Sequence, residues 1–199
     1  PAHAIPETLW GIFFEDINLS ADGGIYPELV RNRSFEDADT PVDWSFSSAN
    51  GKSATTISTA DVHGQPVPLN AFNRKSLCVK ADGAFTLEND GYWGMNIVKG
   101  DSYTLKLAAR ATDGFNTPIT ARLISTDGKD LASGELKGFD GKWNYFTVQL
   151  TATGSDPKAK LVLSAEGKGV LYLDMVSLMP DKTWKNHGLR IDLAESLDA

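Results

Sequence analysis

The stretch SYTLKLAARA, residues 102–111, decides the fold class of this chain. Its inward-facing candidates are Tyr103, Leu105, Leu107 and Ala109. Successive side chains of an extended strand point to opposite faces, so an alternation of period two predicts one buried and one solvated face. Residues 102–111 are therefore predicted to form a half-buried β-strand.

The same alternation recurs through the middle of the chain. The segments are SLCVKADG (76–83), AFTLE (84–88), FTVQLTA (146–152), AKLVLSAEG (159–167) and GVLYLDMVSLMP (169–180). Asp-Gly pairs, which favour tight turns, stand at 82–83, 113–114, 127–128 and 140–141. Regularly spaced turn signals between alternating segments are typical of an antiparallel sandwich or barrel. The middle of the chain is therefore predicted to be an all-β sandwich.

The two ends of the chain follow other patterns. Residues 9–14, LWGIFF, form a continuous apolar run that suits a strand covered on both faces. In residues 188–199, GLRIDLAESLDA, the spacing of Leu189, Leu193 and Leu197 predicts an amphipathic helix that begins near Gly188. Both elements fit a parallel α/β structure better than a sandwich. The predicted division of the chain is 1–35, 36–180 and 181–199.

Composition restricts the classes of partner. The formal net charge of −7 argues against nucleic acid and against an anionic membrane surface, since both require a basic protein surface. A neutral partner such as a sugar stays open. No apolar run approaches the roughly 20 residues that a membrane-spanning helix needs. Cys78 is the only cysteine, so no intrachain disulfide is expected, and its thiol is either buried and inert or a minor surface thiol.

Both ends of the sequence resemble one enzyme family. Residues 9–36, LWGIFFEDINLSADGGIYPELVRNRSFE, resemble the N-terminus of the α-L-arabinofuranosidases of glycoside hydrolase family 51, where such a stretch opens a catalytic (β/α)8 barrel. Residues 173–199, LDMVSLMPDKTWKNHGLRIDLAESLDA, resemble the return into that barrel at its first helix. Between them, NRSFED (32–37), VDWSF (42–46) and KSLCVKADG (75–83) resemble the opening strands of carbohydrate-binding modules of families 4 and 9.

This resemblance implies a mainly β protein. A jelly-roll β-sandwich over residues 36–180 would be flanked by the first strand and loop (1–35) and by the linker and first helix (181–199) of a truncated (β/α)8 barrel. The implied parent is a secreted or periplasmic glycosidase that hydrolyses terminal α-L-arabinofuranosyl residues of arabinan or arabinoxylan. Its partners would be these plant cell-wall polysaccharides and the rest of the barrel. The alternatives are a free-standing carbohydrate-binding module and a purely structural sandwich without sugar affinity.

No catalytic residue is assigned to this chain. Retaining glycosidases use two carboxylates about 5 Å apart, and the resembled family is of that type. Its acid/base glutamate follows an asparagine late in the barrel, and no Asn-Glu dipeptide occurs in this sequence. The resemblance therefore implies an enzyme as the parent and a chain that is inactive alone.

Four residues are candidates for contact with sugar. Glu15 matches the glutamate of the first barrel strand that contacts arabinofuranose hydroxyls in the resembled family, and Asn18 lies near it. The alternative is that Glu15 simply ends a strand at the surface. In DGYWGMNI, residues 90–97, Tyr92 and Trp93 stand between glycines and could offer aromatic faces to a sugar. Burial, or contact with the barrel, is the alternative for this pair.

A structural calcium ion is a further implication of the resemblance. Sandwiches of the resembled type often carry one, and the matching ligands here are Glu36 and Asp174. A hard cation prefers several oxygen ligands, and it would tie the first strand to the last. The alternatives for Asp174 are a salt bridge or a solvated edge position.

Trp44, which follows the Phe-Glu segment, is predicted to lie in the core of the sandwich.

Overall fold

The alternating segments form strands in the computed structural model, which describes residues 15–198. The strand predicted for residues 9–14 lies outside this range. Nine strands occur in the described part: β1 (Trp44–Ser48), β2 (Ala54–Ser58), β3 (Ser76–Asn89), β4 (Met95–Ile97), β5 (Ser102–Thr112), β6 (Ile119–Ile124), β7 (Asp130–Leu136), β8 (Asn144–Thr151) and β9 (Asp156–Pro180). A 3-10 turn, Trp184–Asn186, and helix α1, Ile191–Asp198, follow.

Two long strands, β3 and β9, connect the two layers of the sandwich. They pair antiparallel from Leu77↔Leu173 to Asn89↔Leu161. One half of β9 pairs with β5, which pairs with β8, and the other half pairs with β6, which pairs with β7. β1 and β2 flank opposite halves of β3, while β4 pairs with β9. The predicted antiparallel β-sandwich is confirmed.

The expected turn at Asp82-Gly83 is wrong. Residues 76–83 and 84–88 belong to one strand, β3, and the two segments on either side of Lys168 likewise belong to β9. Glycine lets the paired strands bend where they pass between the layers: Gly83 and Gly169 have φ of +113° and +129°. A Cβ on Gly169 would lie 2.3 Å from the backbone nitrogen of Phe115. The glycines therefore allow a bend and a close approach without ending the strand.

The three remaining Asp-Gly pairs of those named above lie between strands, as predicted. Those at 113–114 and 140–141 connect β5 to β6 and β7 to β8. The pair at 127–128 closes the β6–β7 hairpin, where the amide of Gly128 donates to the carbonyl of Ser125 at 2.9 Å.

The core lies between the inward faces of the two layers. Tyr103, Leu105, Leu107 and Ala109 are all buried there, so the alternation in residues 102–111 is confirmed. Burial of each large apolar side chain stabilises the fold by about 1.5–3 kcal/mol. Trp44 is buried as predicted, and its Nε1 donates to the carbonyl of Asn32 at 3.2 Å.

A small second apolar cluster lies outside the main core, beneath residues 59–75. It contains Cys78, Val170 and Tyr172, with Val62 and Trp143 packed against them. The hydroxyl of Tyr172 accepts a hydrogen bond from the amide of Val62 at 3.0 Å. Of the two alternatives for Cys78, a buried thiol or a surface thiol, the structure shows the buried one. Burial raises the pKa of this thiol.

The two ends of the described chain are hydrogen-bonded side by side. The amide of Leu29 donates to the carbonyl of Leu178 at 3.1 Å, and that of Arg190 donates to the carbonyl of Ile25 at 2.9 Å. Helix α1 begins at Ile191, later than predicted, because Gly188, with φ of +72°, still belongs to the preceding turn. Within residues 15–198, no helix has the length and apolarity to cross a bilayer.

Candidate functional site

A groove of about 590 Å3 lies where the two ends of the chain meet the sandwich. We call it the end groove. Its walls come from residues 23–29, residues 92–103 and helix α1, and Pro157, Pro180 and Lys182 complete it. Tyr92 and Trp93 both line it, whereas Glu15 and Asn18 do not.

Tyr92 packs against the N-terminal segment. Gly23 has φ of +78°, and a Cβ there would lie only 2.4 Å from a carbon of the Tyr92 ring. Burial, followed by the charges of Asp22 and Glu28, raises the pKa of Tyr92 to about 12. One side of the ring is therefore covered by the chain itself, which is the packing alternative for this residue.

Trp93 is the exposed member of the aromatic pair. Its side chain is 69% exposed, and its ring centroid lies 6.2 Å from that of Tyr92. The turn that carries it rests on β9, because a Cβ on Gly94 would lie 2.6 Å from the Cα of Lys158. Trp93 thus presents an aromatic surface at the mouth of the end groove from a backbone that is held in place.

A buried carboxylate, Glu28, joins the N-terminal segment to β9. Its Oε1 accepts from the amides of Val30 and Leu178 at 3.0 and 2.9 Å, and its Oε2 accepts from the hydroxyl of Ser177 at 2.5 Å. Arg33 lies 3.7 Å away, yet burial outweighs these contacts and raises the pKa of Glu28. Glu28 is not among the residues predicted from the sequence, although a lone acid among Pro27, Leu29 and Val30 is a visible signal.

Glu15 and Asn18 lie in the loop that precedes the end groove. Both side chains are exposed, and Asn18 has φ of +54°. The neighbouring Asp16 supports the loop, since its Oδ1 accepts from the amide of Ala21 at 2.9 Å. The structure therefore places Glu15 at an accessible position but does not bring it to Tyr92 and Trp93.

Asp174 is buried without full compensation of its charge. Its Oδ1 accepts from the amide of Met175 at 2.6 Å, while its Oδ2 has no hydrogen-bond partner among the described residues. Burial raises the pKa of Asp174 to about 7, and the nearby charge of Glu36 also raises it. Neither of the alternatives, a salt bridge or a solvated edge position, describes this carboxyl group.

Glu36 lies close enough to Asp174 for the two charges to interact, but it has other partners. Its Oε1 accepts from the amides of Arg74 and Lys75 at 2.6 and 2.7 Å. The ammonium of Lys75 donates to the carbonyls of Glu36 and Ala38 at 3.3 and 3.2 Å. Within residues 15–198, no group of three or more His, Cys, Asp or Glu side chains is placed to hold a metal ion.

Comparisons with known proteins find similarity to α-L-arabinofuranosidases. No family model matches the chain. The chain is 35% identical to α-L-arabinofuranosidase 1 of Arabidopsis thaliana. That match covers 97% of this chain and 30% of the Arabidopsis protein. The chain is also 36% identical to an extracellular exo-α-L-arabinofuranosidase of Streptomyces chartreusis. That match covers 98% of this chain and 23% of the Streptomyces protein.

Solved structures agree with the sequence matches. An arabinose-bound family 51 α-L-arabinofuranosidase superposes with a TM-score of 0.79 and 29% identity, over 99% of this chain and 33% of that one. A family 61 carbohydrate-binding module in complex with β-1,4-galactotriose superposes with a TM-score of 0.51 and 15% identity, which shows a shared sandwich fold. The chain spans about a third or less of the arabinofuranosidases that it matches. It is thus related to the α-L-arabinofuranosidases of glycoside hydrolase family 51 and corresponds to an N-terminal part of them.

Proposed function

We propose that this chain is a non-catalytic part of an α-L-arabinofuranosidase that removes terminal arabinofuranosyl residues from arabinan or arabinoxylan. The observation that carries the proposal is the match of nearly the whole chain to no more than 30% of curated arabinofuranosidases. The lack of an Asn-Glu dipeptide supports a catalytic pair located elsewhere in the parent. An extracellular relative supports secretion of the parent.

The surface around the end groove is the proposed contact with the rest of the barrel. In this proposal, residues 1–35 and 181–199 belong to the barrel side and residues 36–180 form the sandwich. Helix α1 supports this division, because Leu193 is 38% exposed and Leu197 is 77% exposed. A short helix gains most of its stability from packing of an apolar face, and here that face is largely open.

Glu15 and Asn18 are proposed to contact arabinofuranose hydroxyls in the assembled enzyme. The resemblance assigns this role, and the exposure of both side chains at the end of the N-terminal segment is compatible with it. A carboxylate is a strong acceptor for sugar hydroxyls. The isolated chain would present Glu15 without the remaining walls of the pocket.

The test is hydrolysis of a nitrophenyl α-L-arabinofuranoside. The purified chain should release no nitrophenol above a buffer control, whereas the same chain joined to the remaining part of a relative should be active. In the joined protein, Glu15→Gln should raise KM, since it weakens a contact to the substrate. Activity of the isolated chain that survives repurification would contradict the non-catalytic role. An unchanged KM in the variant would remove Glu15 from the substrate site.

Carbohydrate binding by the sandwich is a second proposed function. The observation that favours it is Trp93, whose exposed ring borders the end groove. An aromatic face packs well against the C–H face of a sugar. Isothermal titration of the chain with arabinan and arabinoxylan tests it, and Trp93→Ala measures the part that this ring contributes. If no glycan binds, a structural sandwich in contact with the barrel is the remaining function.

A calcium ion at Asp174 and Glu36 is a third proposal. The unpartnered Oδ2 of Asp174 could act as a ligand, and a bound cation would offset the mutual repulsion of the two carboxylates. Bound calcium would supply positive charge to oxygen ligands and would connect the segment before β1 to β9. Lys75, which donates to two carbonyls of residues 36–38, supplies a competing positive charge beside the site.

A further inference from the structure

A second groove crosses the outer face of the layer formed by β1, β3, β9, β6 and β7. We call it the sheet groove. It has a volume of about 530 Å3, and each of the five strands contributes at least one polar residue to its lining, of which five are in cross-strand register. These are Ser47, Thr86, Ser164, Thr120 and Glu135. The sheet groove contains neither Trp93 nor any other residue of the end groove.

The five polar residues form one continuous row across the layer. Cross-strand pairing joins Ser47 to Thr86, Thr86 to Ser164, Ser164 to Thr120, and Thr120 to Glu135. Neighbouring strands lie about 4.8 Å apart, so the row extends over roughly 19 Å. Polar groups at this regular spacing could contact successive units of an extended ligand.

The five side chains of the row differ in how far their hydrogen-bonding capacity is already used. Ser47 and Thr86 hydrogen-bond to each other through their hydroxyls at 2.6 Å. The side chains of Ser164, Thr120 and Glu135 make no hydrogen bond or ion pair with other groups of residues 15–198. These three side chains are therefore available to a ligand.

One arginine lies beside the row. Arg122 follows Thr120 on the same face of β6, and its Nε is buried without a hydrogen-bond partner among the described residues. Its Nη1 lies 3.7 Å from Asp130, a distance too long for a hydrogen bond. An unpartnered buried donor is unusual in a folded protein, because leaving it unpaired is costly. Arg122 does not line the sheet groove and its buried Nε is closed to a ligand, so its contribution is a positive charge next to the row.

The charges and the backbone restrict the class of ligand. Glu135 and Glu166 line the sheet groove and the chain has a net charge of −7, which disfavours an anionic polymer. A peptide strand would need an open sheet edge for backbone pairing, whereas the central strands β3, β9 and β6 are paired on both sides. A neutral polyhydroxyl chain satisfies both restrictions.

We propose that the sheet groove binds an extended, uncharged oligosaccharide segment through its hydroxyl row. The inference rests on the proposed carbohydrate binding and gives it a second, separate site. The only aromatic residue in the lining is Phe85, whose side chain is buried in the core. Recognition therefore depends on hydrogen bonds without a stacking platform, and the affinity for a single chain is weak.

The experiment is titration of the full 199-residue chain with xylohexaose and with a linear arabino-oligosaccharide, followed by NMR. The test variant combines Thr120→Val with Ser164→Ala, which removes two hydroxyls with little change of shape. Its matched control is Thr147→Val on the exposed face of β8 in the other layer. We expect the double variant to weaken binding by about tenfold, since each lost bond is worth a few-fold in affinity. The control should bind like the original chain.

Other outcomes assign the result to one proposal or the other. Failure of the original chain to bind either oligosaccharide overturns the inference, and so does binding that the double variant retains. Loss of binding in Trp93→Ala alone places the sugar at the end groove, which overturns the inference and leaves carbohydrate binding intact. If the double variant does not fold, Glu135→Gln at an exposed position replaces it, and undiminished affinity in that variant overturns the inference as well.

Discussion

The backbone amide of Arg190 donates a hydrogen bond to the carbonyl of Ile25 at 2.9 Å, which holds the two ends of the described chain together. A sandwich whose ends meet at one place can be carried within a larger fold without disturbing it, as tolerated domain insertions show. The same region contains Glu28, Tyr92 and Trp93, so the attachment of the sandwich and the end groove share one set of residues.

Substitution of Gly23 by alanine should destabilise the chain by about 2–4 kcal/mol, because the new methyl group would overlap the Tyr92 ring in addition to straining the backbone. Gly128→Ala is the matched control, since φ is +82° there and nothing lies within 4 Å of the new Cβ. It should cost only about 1 kcal/mol. Urea unfolding measures both variants. Equal losses would show that Tyr92 does not pack on Gly23.

Stability in the presence of a chelator should fall as the pH rises from 4 to 7. The folded pKa of Asp174 is about 7 and its ordinary value is 3.8, so the folded state binds this proton more tightly than the unfolded state does. The stabilisation is complete below the ordinary pKa and is lost as the pH rises through the folded pKa. Asp174→Asn should therefore raise the free energy of unfolding at pH 8 by about 2–4 kcal/mol and flatten the profile.

The comparison for that experiment is Asp37→Asn, at an exposed position. It should follow the profile of the original chain. If the free energy of unfolding falls with pH in Asp174→Asn as steeply as in the original chain, another group titrates in this range.

Calcium should raise the melting temperature of the original chain at pH 8, because a ligand that binds only the folded state stabilises it. Glu36→Gln should reduce this rise, and Asp174→Asn should abolish it. Asp90→Asn serves as the control, since that residue is exposed and lies in the turn after β3, away from Glu36 and Lys75. Differential scanning calorimetry with calcium and with a chelator makes the measurement. An identical melt in both conditions would remove Glu36 and Asp174 from the proposed metal site.

Leu193→Asp should change the stability of the isolated chain by less than about 0.5 kcal/mol, since the side chain is already partly exposed. In the chain joined to the rest of a barrel, the same change should lower the melting temperature by several degrees, because a charge would be buried at the contact. Glu195→Gln, on the same helix, is the control. A joined protein that tolerates Leu193→Asp would show that helix α1 does not contact the barrel.

Much of the sandwich could be predicted from local pattern. Tyr103, Leu105 and Leu107 alternate with polar residues, and this period alone identifies a strand and its buried face. Trp44 was predicted in the core because it follows the Phe-Glu segment and resembles a core tryptophan of such a sandwich. At Gly83 the prediction was wrong, since an Asp-Gly pair permits either a turn or a bent strand. The choice depends on pairing with β9, which lies far away in the sequence.

For the candidate sites too, the sequence predicted some features, whereas others depended on tertiary contacts. Tyr92 and Trp93 were recognisable as an aromatic pair between glycines, but the sequence could not say which ring would be covered. Gly23 covers Tyr92 because the N-terminal segment folds back against it. Glu28 went unnoticed because its three donors come from Val30, Ser177 and Leu178, and the last two lie at the other end of the chain.

By itself, the sequence determined that residues 76–88, 102–111, 146–152 and 159–180 are extended, which face of residues 102–111 is buried, and which enzyme family the chain resembles. These properties depend on alternation and on short motifs, and both are local. Only the tertiary structure decided that Ser47, Thr86, Ser164, Thr120 and Glu135 form one row. Cross-strand register is set by the pairing of five separate strands, and a shift of one residue in any of them would turn its side chain to the other face.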